Sequence, residues 1–558
     1  MKQINSILLF TILFAATIVF SGLTLAKGGM YLGKHESDIL HLLDILQRLR
    51  LGGEIHTDIQ TPIGVFAFAP VLWVANFDVG FGMSFAIVQL GLALCLLPAL
   101  VWIGVSRLGP VGAVFFGVSI LAIATSMVGG QTDTSSSISV HYNRWAWALA
   151  LTGLALAVLM PRIPSPRASM FEGAVIGVIM AVLALLKVTF FLGFAIPVVV
   201  GLLLHKNKKG LGVAILAGLG VVAATTLMMG ATFWGAYFDD LMRVATSKNR
   251  PFPGESLMTL VTAPQYLATS IVAFIACVTL RQSGQGKAAL LLLICLPGFY
   301  YITFQNFGND PIWLIFLMVF LMANRPDRDL RNGMGWSMRG VAAIMSGAAL
   351  AIVAPVYLNI LTSSLHHYAV NTASYAPFLP IVAADIQTAN IRSQSVSTLQ
   401  REDGGASGLE GFVSEPLEKE PRMLGGIVFP ECQNQTGVVA TVHAISGAIS
   451  QIIPAKGGAL YVADVISAHW IEAGMTPAKG SAPWYYGGLP GFENAEFLLV
   501  PKCPALLSVR NAMLAEIQAH EKVLLTPLDE TPLYGFFRID VLDVEKSSKY
   551  EVEREQKS

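Results

Sequence analysis

The sequence predicts a polytopic α-helical membrane protein of about eleven spans followed by a soluble α/β domain, and three observations carry that expectation. Of the 558 residues, 54% are hydrophobic and 13% charged, with a mean hydropathy of +0.61, too apolar for a soluble chain of this size. Apolar runs recur before residue 363, each near the roughly 20 residues that satisfy a backbone inside hydrocarbon. After Leu361 the composition turns ordinary, with short apolar strings alternating with helical patterns. The formal net charge of +0 says nothing about partners; in such a chain the informative quantity is where the positive charges fall. No nucleic-acid partner is expected.

The expected spans run from Ile4 to Ala26, Gly80 to Val105, Val111 to Val128, Arg144 to Met160, Phe171 to Leu186 and Val188 to Leu204. They continue from Leu211 to Phe233, Val261 to Leu280, Ala288 to Phe304, Pro311 to Ala323 and Gly340 to Leu361. This threading puts Lys2, Arg107, Arg162, Arg167, Lys206, Lys208, Lys209, Arg281, Lys287, Arg325, Arg328, Arg331 and Arg339 on one side, which the positive-inside rule makes cytoplasmic. The N-terminus is then cytoplasmic and the C-terminal domain lies outside. The same rule divides the apolar stretch from Phe171 to Leu204 into two helices, because a single helix would turn the Arg-rich segment from Arg325 outward. The first run is expected as a retained helix rather than a signal peptide, since Leu25-Ala26-Lys27 is a poor cleavage site.

Residues 1–362 therefore read as the membrane domain, with an outer-face loop at 27–79. A weakly structured linker at 363–425, acidic from Glu402 to Glu420, leads to an extracytoplasmic α/β domain at 426–543 and a charged tail at 544–558. Within the domain, strings at Ala459, Phe497 and Leu533 read as buried strands and Val509 to His520 as a helix. Cys432 and Cys503 either pair, as an oxidising compartment permits, or remain buried thiols. In the outer loop, Asp38 to Arg50 is amphipathic, and Thr61-Pro62 is expected to open a short interfacial helix from Gly64 to Asn76. Further outer loops are expected at Gly129 to Asn143, Trp234 to Leu260 and Gln305 to Asp310.

The residues able to carry chemistry concentrate in these loops. A carboxylate at a water–lipid boundary can take a proton from a hydroxyl or hold a divalent cation, which singles out Glu36 and Asp38. Acids at a helix start also simply favour its dipole. Asp58, in His56-Thr57-Asp58 after a Gly52-Gly53 turn, either joins that site or caps a turn. His35, His41 and His56 match no metal-ligand spacing. Lys187, flanked by Leu186 and Val188, is a costly ammonium that either neutralises a phosphate or snorkels outward. Asp133, Tyr142, Asn143 and Arg144 line the second outer loop, and Arg243, Lys248 and Arg250 give the third a basic cluster that either suits an anionic ligand or is an ordinary solvated loop. Asn306, Asn309 and Asp310 can contact a polar substrate or form turns. No phosphate-binding loop, zinc-protease motif, nucleophile elbow or dinucleotide fingerprint is present.

The first helix, an outer loop with Glu36-Ser37-Asp38, an interfacial element, and Asp58 followed by Thr61-Pro62-Ile63-Gly64 resemble the integral membrane glycosyltransferases of the GT-C fold. The likeness is strongest over residues 1 to 160, and the soluble tail is similar to that of the bacterial lipid A aminoarabinose transferase and mannosyltransferase group. Those families typically carry an adjacent acidic pair where this chain has Glu-Ser-Asp.

The resemblance implies transfer of a sugar from a polyprenyl-phosphate carrier to an envelope glycan, lipid or protein acceptor, outside a bacterial inner membrane. It implies Asp38 as base, Glu36 or Asp58 orienting it, and Lys187 with Arg243, Lys248 and Arg250 facing the departing phosphate. His56, Arg144, Asn306 and Asp310 would line the substrate site. The cofactor it would allow is a divalent cation, Mg or Mn, on Glu36 and Asp38. A transporter or flippase of an envelope lipid or glycan precursor is the main alternative, against which stand the lack of an inverted repeat and the scarcity of mid-span polar residues. A scaffold protein of the envelope is a third.

Overall fold

The computed structural model describes residues 4–128, 132–139, 141–163, 165–248, 258, 262–305, 311–326, 330–393, 397–398, 422–453, 457–520 and 523–541. The chain divides into two compact units. The first comprises Met1–Tyr31, Ile63–Ala231 and Pro251–Val370, and the second Leu32–Pro62, Thr232–Arg250 and Asn371–Ser558. The sequence boundary at residue 362 follows chain order, and these units take Leu32–Pro62 and Thr232–Arg250, two segments inserted within the helical region, into the second unit.

The first unit is a multi-pass helical membrane domain. Among the described residues, seven helices are long and apolar enough to cross a bilayer: Ser6–Ala26, Phe81–Arg107, Pro166–Leu186, Lys208–Met229, Pro264–Gln282, Gly286–Gln305 and Met338–Ala369. The other expected spans fall on the shorter helices Pro110–Thr125, His141–Val158, Val188–Leu204 and Leu314–Ala323. The run from Phe171 to Leu204 is indeed two helices. Lys187 between them is extended, with φ −154° and ψ 100°.

Small residues let these helices approach closely, the usual device where lipid removes any hydrophobic drive between them. Gly173 and Gly177, four apart on Pro166–Leu186, face Gly210 and Ala214 of Lys208–Met229. A Cβ at Gly173 would lie 2.2 Å from the Gly210 carbonyl oxygen, and one at Gly177 2.0 Å from that of Ala214. At the Lys187 break, the Gly64 N–H donates to the Leu186 carbonyl at 3.2 Å, and a Cβ there would meet the Leu185 oxygen at 2.1 Å.

Two expectations from sequence are corrected here. Thr61-Pro62 opens no helix: Gly64 precedes a 3-10 turn at Val65–Ala67, and the helix is Ala69–Ala75. The seventh span ends at Met229, where Gly230 takes φ +82°; the stretch expected as a loop from Trp234 forms the helix Thr232–Thr246. That helix buries Phe233, Tyr237 and Asp240 at helical spacing, a stripe hidden in the sequence by the aromatics and acids around it.

The second unit holds a five-stranded mixed sheet in the order Val523–Glu530, Tyr534–Val541, Phe497–Pro501, Ala459–Val462, Thr476–Pro477. The first two strands pair antiparallel, Leu525 opposite Ile539, and Tyr534–Val541 pairs antiparallel with Phe497–Pro501, Leu499 opposite Phe536. Phe497–Pro501 and Ala459–Val462 run parallel, Leu498 opposite Tyr461. The helices Val438–Ile452, His469–Ala473 and Leu507–Gln518 accompany the sheet, giving the expected α/β character. Cys432 and Cys503 form a disulfide across 71 positions. The acidic stretch within 399–421 and the tail from 542 lie outside the described residues.

The helix Glu36–Arg50 is more enclosed than an interfacial helix. Ile39, Leu42, Leu43 and Leu46 are buried, and so is the polar stripe His41, Asp44 and Arg48. Arg48 Nε donates to Asp44 at 2.6 Å and its Nη atoms donate to the hydroxyls of Ser481 at 2.8 Å and Ser467 at 3.0 Å. Ser467 Oγ and Trp470 Nε1 donate to the same carboxylate at 2.6 and 3.0 Å. A buried ion pair is tolerable when its remaining donors and acceptors are met in this way.

Candidate active site

The strongest constellation lies in the second unit, on two segments distant in sequence. The Gly52-Gly53 turn sends the chain back beside the end of Glu36–Arg50, and His56 follows with φ +68°, a left-handed conformation uncommon outside glycine. It is pinned there by donating its N–H to the Ile59 carbonyl at 2.9 Å. The imidazole sits among the buried stripe of Thr232–Thr246, 4.5 Å from the Tyr237 ring centroid and 5.3 Å from that of Phe233. His56 Nδ1 is 2.9 Å from Asp240 Oδ2, with both side chains buried.

The same Asp240 oxygen accepts the Thr61 N–H at 3.0 Å. Burial raises the Asp240 pKa above the usual carboxylate range, and the bond to His56, the Thr61 N–H and nearby Arg243 pull it back in part. At the other end of the ring, His56 Nε2 is buried without a hydrogen-bond partner among the described residues. An imidazole held at Nδ1 by a carboxylate and unbonded at Nε2 has the donor–acceptor arrangement of a base for a hydroxyl brought to that nitrogen.

No protein-family model and no curated protein matches the chain. One solved structure does. The crystal structure of ArnT from Cupriavidus metallidurans bound to undecaprenyl phosphate is similar over 95% of this chain and 97% of that one, with a TM-score of 0.41 and 10% sequence identity.

The residues singled out from sequence are distributed as follows. Glu36 begins its helix with Oε2 accepting from Arg392 Nη1 at 3.1 Å, and its Oε1 is buried with no partner among the described residues. Asp38 lies in the same first turn, half-buried. Asp58 closes a turn: its carboxylate accepts the Glu54 N–H at 3.1 Å and pairs with Lys479 Nζ at 3.2 Å. It also lines a cavity of about 280 Å3 with Arg48, Thr476 and Lys479. Arg243 and Lys248 are exposed, while Arg250, Asn306 and Asp310 lie outside the described residues.

In the first unit, the Arg144 guanidinium donates to the carbonyls of Val128 at 2.9 Å, Ser139 at 3.3 Å and Ser137 at 3.2 Å, shaping the loop before its helix. Lys187 Nζ lies 5.0 Å from the Tyr142 ring centroid, a cation–π distance. Among the described residues no group of three or more His, Cys, Asp or Glu side chains could hold a metal ion. Sequence reasoning missed Asp240 and Asp44. Asp240 follows Phe233 and Tyr237 at helical spacing, which was the one available signal.

Proposed function

We propose that this chain is a membrane glycosyltransferase that moves a sugar from a polyprenyl-phosphate carrier to a hydroxyl of an envelope acceptor on the extracytoplasmic face, with His56 as the base. The observation that carries the reading is the Asp240–His56 pair, bonded at Nδ1 and with a buried Nε2 that has no hydrogen-bond partner among the described residues. The acceptor O–H gives its proton to Nε2 as the oxygen bonds to the anomeric carbon. The bond from that carbon to the carrier phosphate breaks with its electron pair on the phosphate oxygen. Asp240 holds the ring orientation and stabilises the imidazolium that forms. Arg243, one turn beyond Asp240 on the same helix, supplies positive charge toward the phosphate that departs. Lys187, in its own unit, is the other cation proposed to meet a lipid phosphate.

The multi-pass architecture and the layout of the first outer loop support the same reading, since a lipid-borne donor must be met at a membrane face. The test is turnover by the purified protein with polyprenyl-phosphate sugars and envelope acceptors, comparing wild type with His56→Gln, Asp240→Asn, Asp38→Asn and Asp58→Asn. Loss of a base typically lowers the rate about 10²–10⁴-fold, and that drop is expected for His56→Gln. A comparable drop in Asp38→Asn with His56→Gln fully active would move the base to Asp38. No turnover with any donor, alongside substrate-dependent flux in liposomes, would favour transport.

A further inference from the structure

A cavity of the first unit lies at the opposite end from the outer loops, on the face the charge rule makes cytoplasmic. It measures about 500 Å3 and opens between the ends of Phe81–Arg107, His141–Val158, Pro166–Leu186 and the turn that joins Val188–Leu204 to Lys208–Met229. This volume suits a ligand of moderate size.

The cavity is built in two layers. Its wall is apolar, from Trp102, Leu156, Met160 and Leu202. At the wall's polar edge Glu172, buried, accepts from Trp102 Nε1 at 2.7 Å and Arg107 Nη1 at 2.8 Å. Arg107 also donates to the carbonyls of Leu159 and Leu156 at 3.0 and 3.1 Å, so its position is fixed from four sides. The rim is cationic: Lys206, Lys208 and Lys209 line it, all exposed, together with His205. Besides burial, the charges of Arg107 and Lys287 lower the His205 pKa, as a positive field would. Arg162 Nη1, between the lining residues Pro161 and Ile163, is buried without a hydrogen-bond partner among the described residues.

We infer that this cavity binds the phosphate headgroup of an anionic membrane lipid, with Lys206, Lys208 and Lys209 on the phosphate and the apolar wall against the lipid's glycerol and upper chains. Basic pockets between membrane helices on the cytoplasmic side are suited to such headgroups, because the leaflet itself concentrates anionic lipid there. A soluble phosphate shares the charge but has no use for a wall of Trp102, Met160 and Leu202. Each lysine is expected to contribute roughly fivefold in retention.

The test uses the full-length protein in nanodiscs, by native mass spectrometry and thermal stability, with phosphatidylglycerol or cardiolipin against phosphatidylcholine, and with inorganic phosphate in a separate arm. Expected is selective retention of the anionic lipid, lowered at least about tenfold in the Lys206→Gln, Lys208→Gln, Lys209→Gln triple variant. A control triple, Arg281→Gln, Arg331→Gln and Arg339→Gln, removes equal charge from the same face and should retain lipid as wild type does. Equal loss in both triples would reduce the effect to general surface charge and overturn the site. Stabilisation by inorganic phosphate alone, with no lipid preference, would overturn the lipid assignment. Should the triple variant fold poorly, Lys208→Glu alone provides the same comparison.

Discussion

Ser467 donates its hydroxyl to the Asp44 carboxylate at 2.6 Å across 423 positions of sequence. That bond belongs to a network in which Arg48, Trp470 and Ser481 satisfy one another around an acid with no exposed surface. Removing one member of such a buried pair leaves the other charge uncompensated, which costs about 3–5 kcal/mol. Asp44→Ala is therefore expected to lower the stability of the second unit by about that amount in chemical unfolding of the intact protein. Glu54→Ala, at an exposed position, should change it by less than about 0.5 kcal/mol. Equal stabilities would mean the network contributes nothing.

Asp240 and His56 act as one unit in the proposed reaction, so their losses should not add. His56→Gln, Asp240→Asn and the double variant are expected to fall to similar residual turnover, as groups that share a single role do. Independent, multiplying losses measured in kcat would show that the aspartate acts elsewhere.

Close helix packing makes a contrast between two glycines of neighbouring helices. Gly177→Leu would drive a side chain into the Ala214 carbonyl, whereas a Cβ at Gly212 meets nothing within 4 Å. The first change should destabilise by about 1–3 kcal/mol or more, read as a drop in melting temperature in detergent, and Gly212→Leu should leave it unchanged.

Two buried groups of the second unit set opposing pH responses. Burial pulls the His469 imidazole down from 6.5 to about 4, so its neutral form adds stability above pH 6.5 that is lost as pH falls through about 4. Burial pushes the Asp464 carboxyl up from 3.8 to about 6 despite three backbone N–H donors, so its contribution is full below pH 3.8 and lost as pH rises through about 6. Each swing is on the order of 3 kcal/mol, and in wild type they nearly cancel. On acidification from pH 6.5 to 4, His469→Leu should gain stability and Asp464→Asn should lose it. Parallel pH curves for both variants and wild type would refute the pair of assignments.

What could be read from the sequence follows from how local each signal is. A span announces itself in some twenty consecutive residues, and the Arg-rich segment from Arg325 was enough, through the charge rule, to divide the run at Lys187. The strands at Ala459, Phe497 and Tyr534 were equally local. His56 and Asp58 stand out by residue type, but the partner of His56 lies 184 positions away, on a helix whose Tyr237 and Asp240 fall where the sequence suggests a loop and whose Phe233 falls at the expected end of a span. Asp44 and Arg48 looked like the wet side of an amphipathic helix. Only the contacts with Ser467, Trp470 and Ser481 show that this side is dry.

The three-segment make-up of the second unit has a consequence for how the protein is made. Asp44 leaves the ribosome more than four hundred residues before Ser467 and Trp470, an interval of roughly 20–80 s at about 5–20 residues per second. Throughout that time Asp44 waits for these partners, while His56 waits for Asp240 over only 184 residues, roughly 9–37 s at the same rate. Synthesis order therefore leaves the Asp44 network incomplete until the third segment of the second unit has been made.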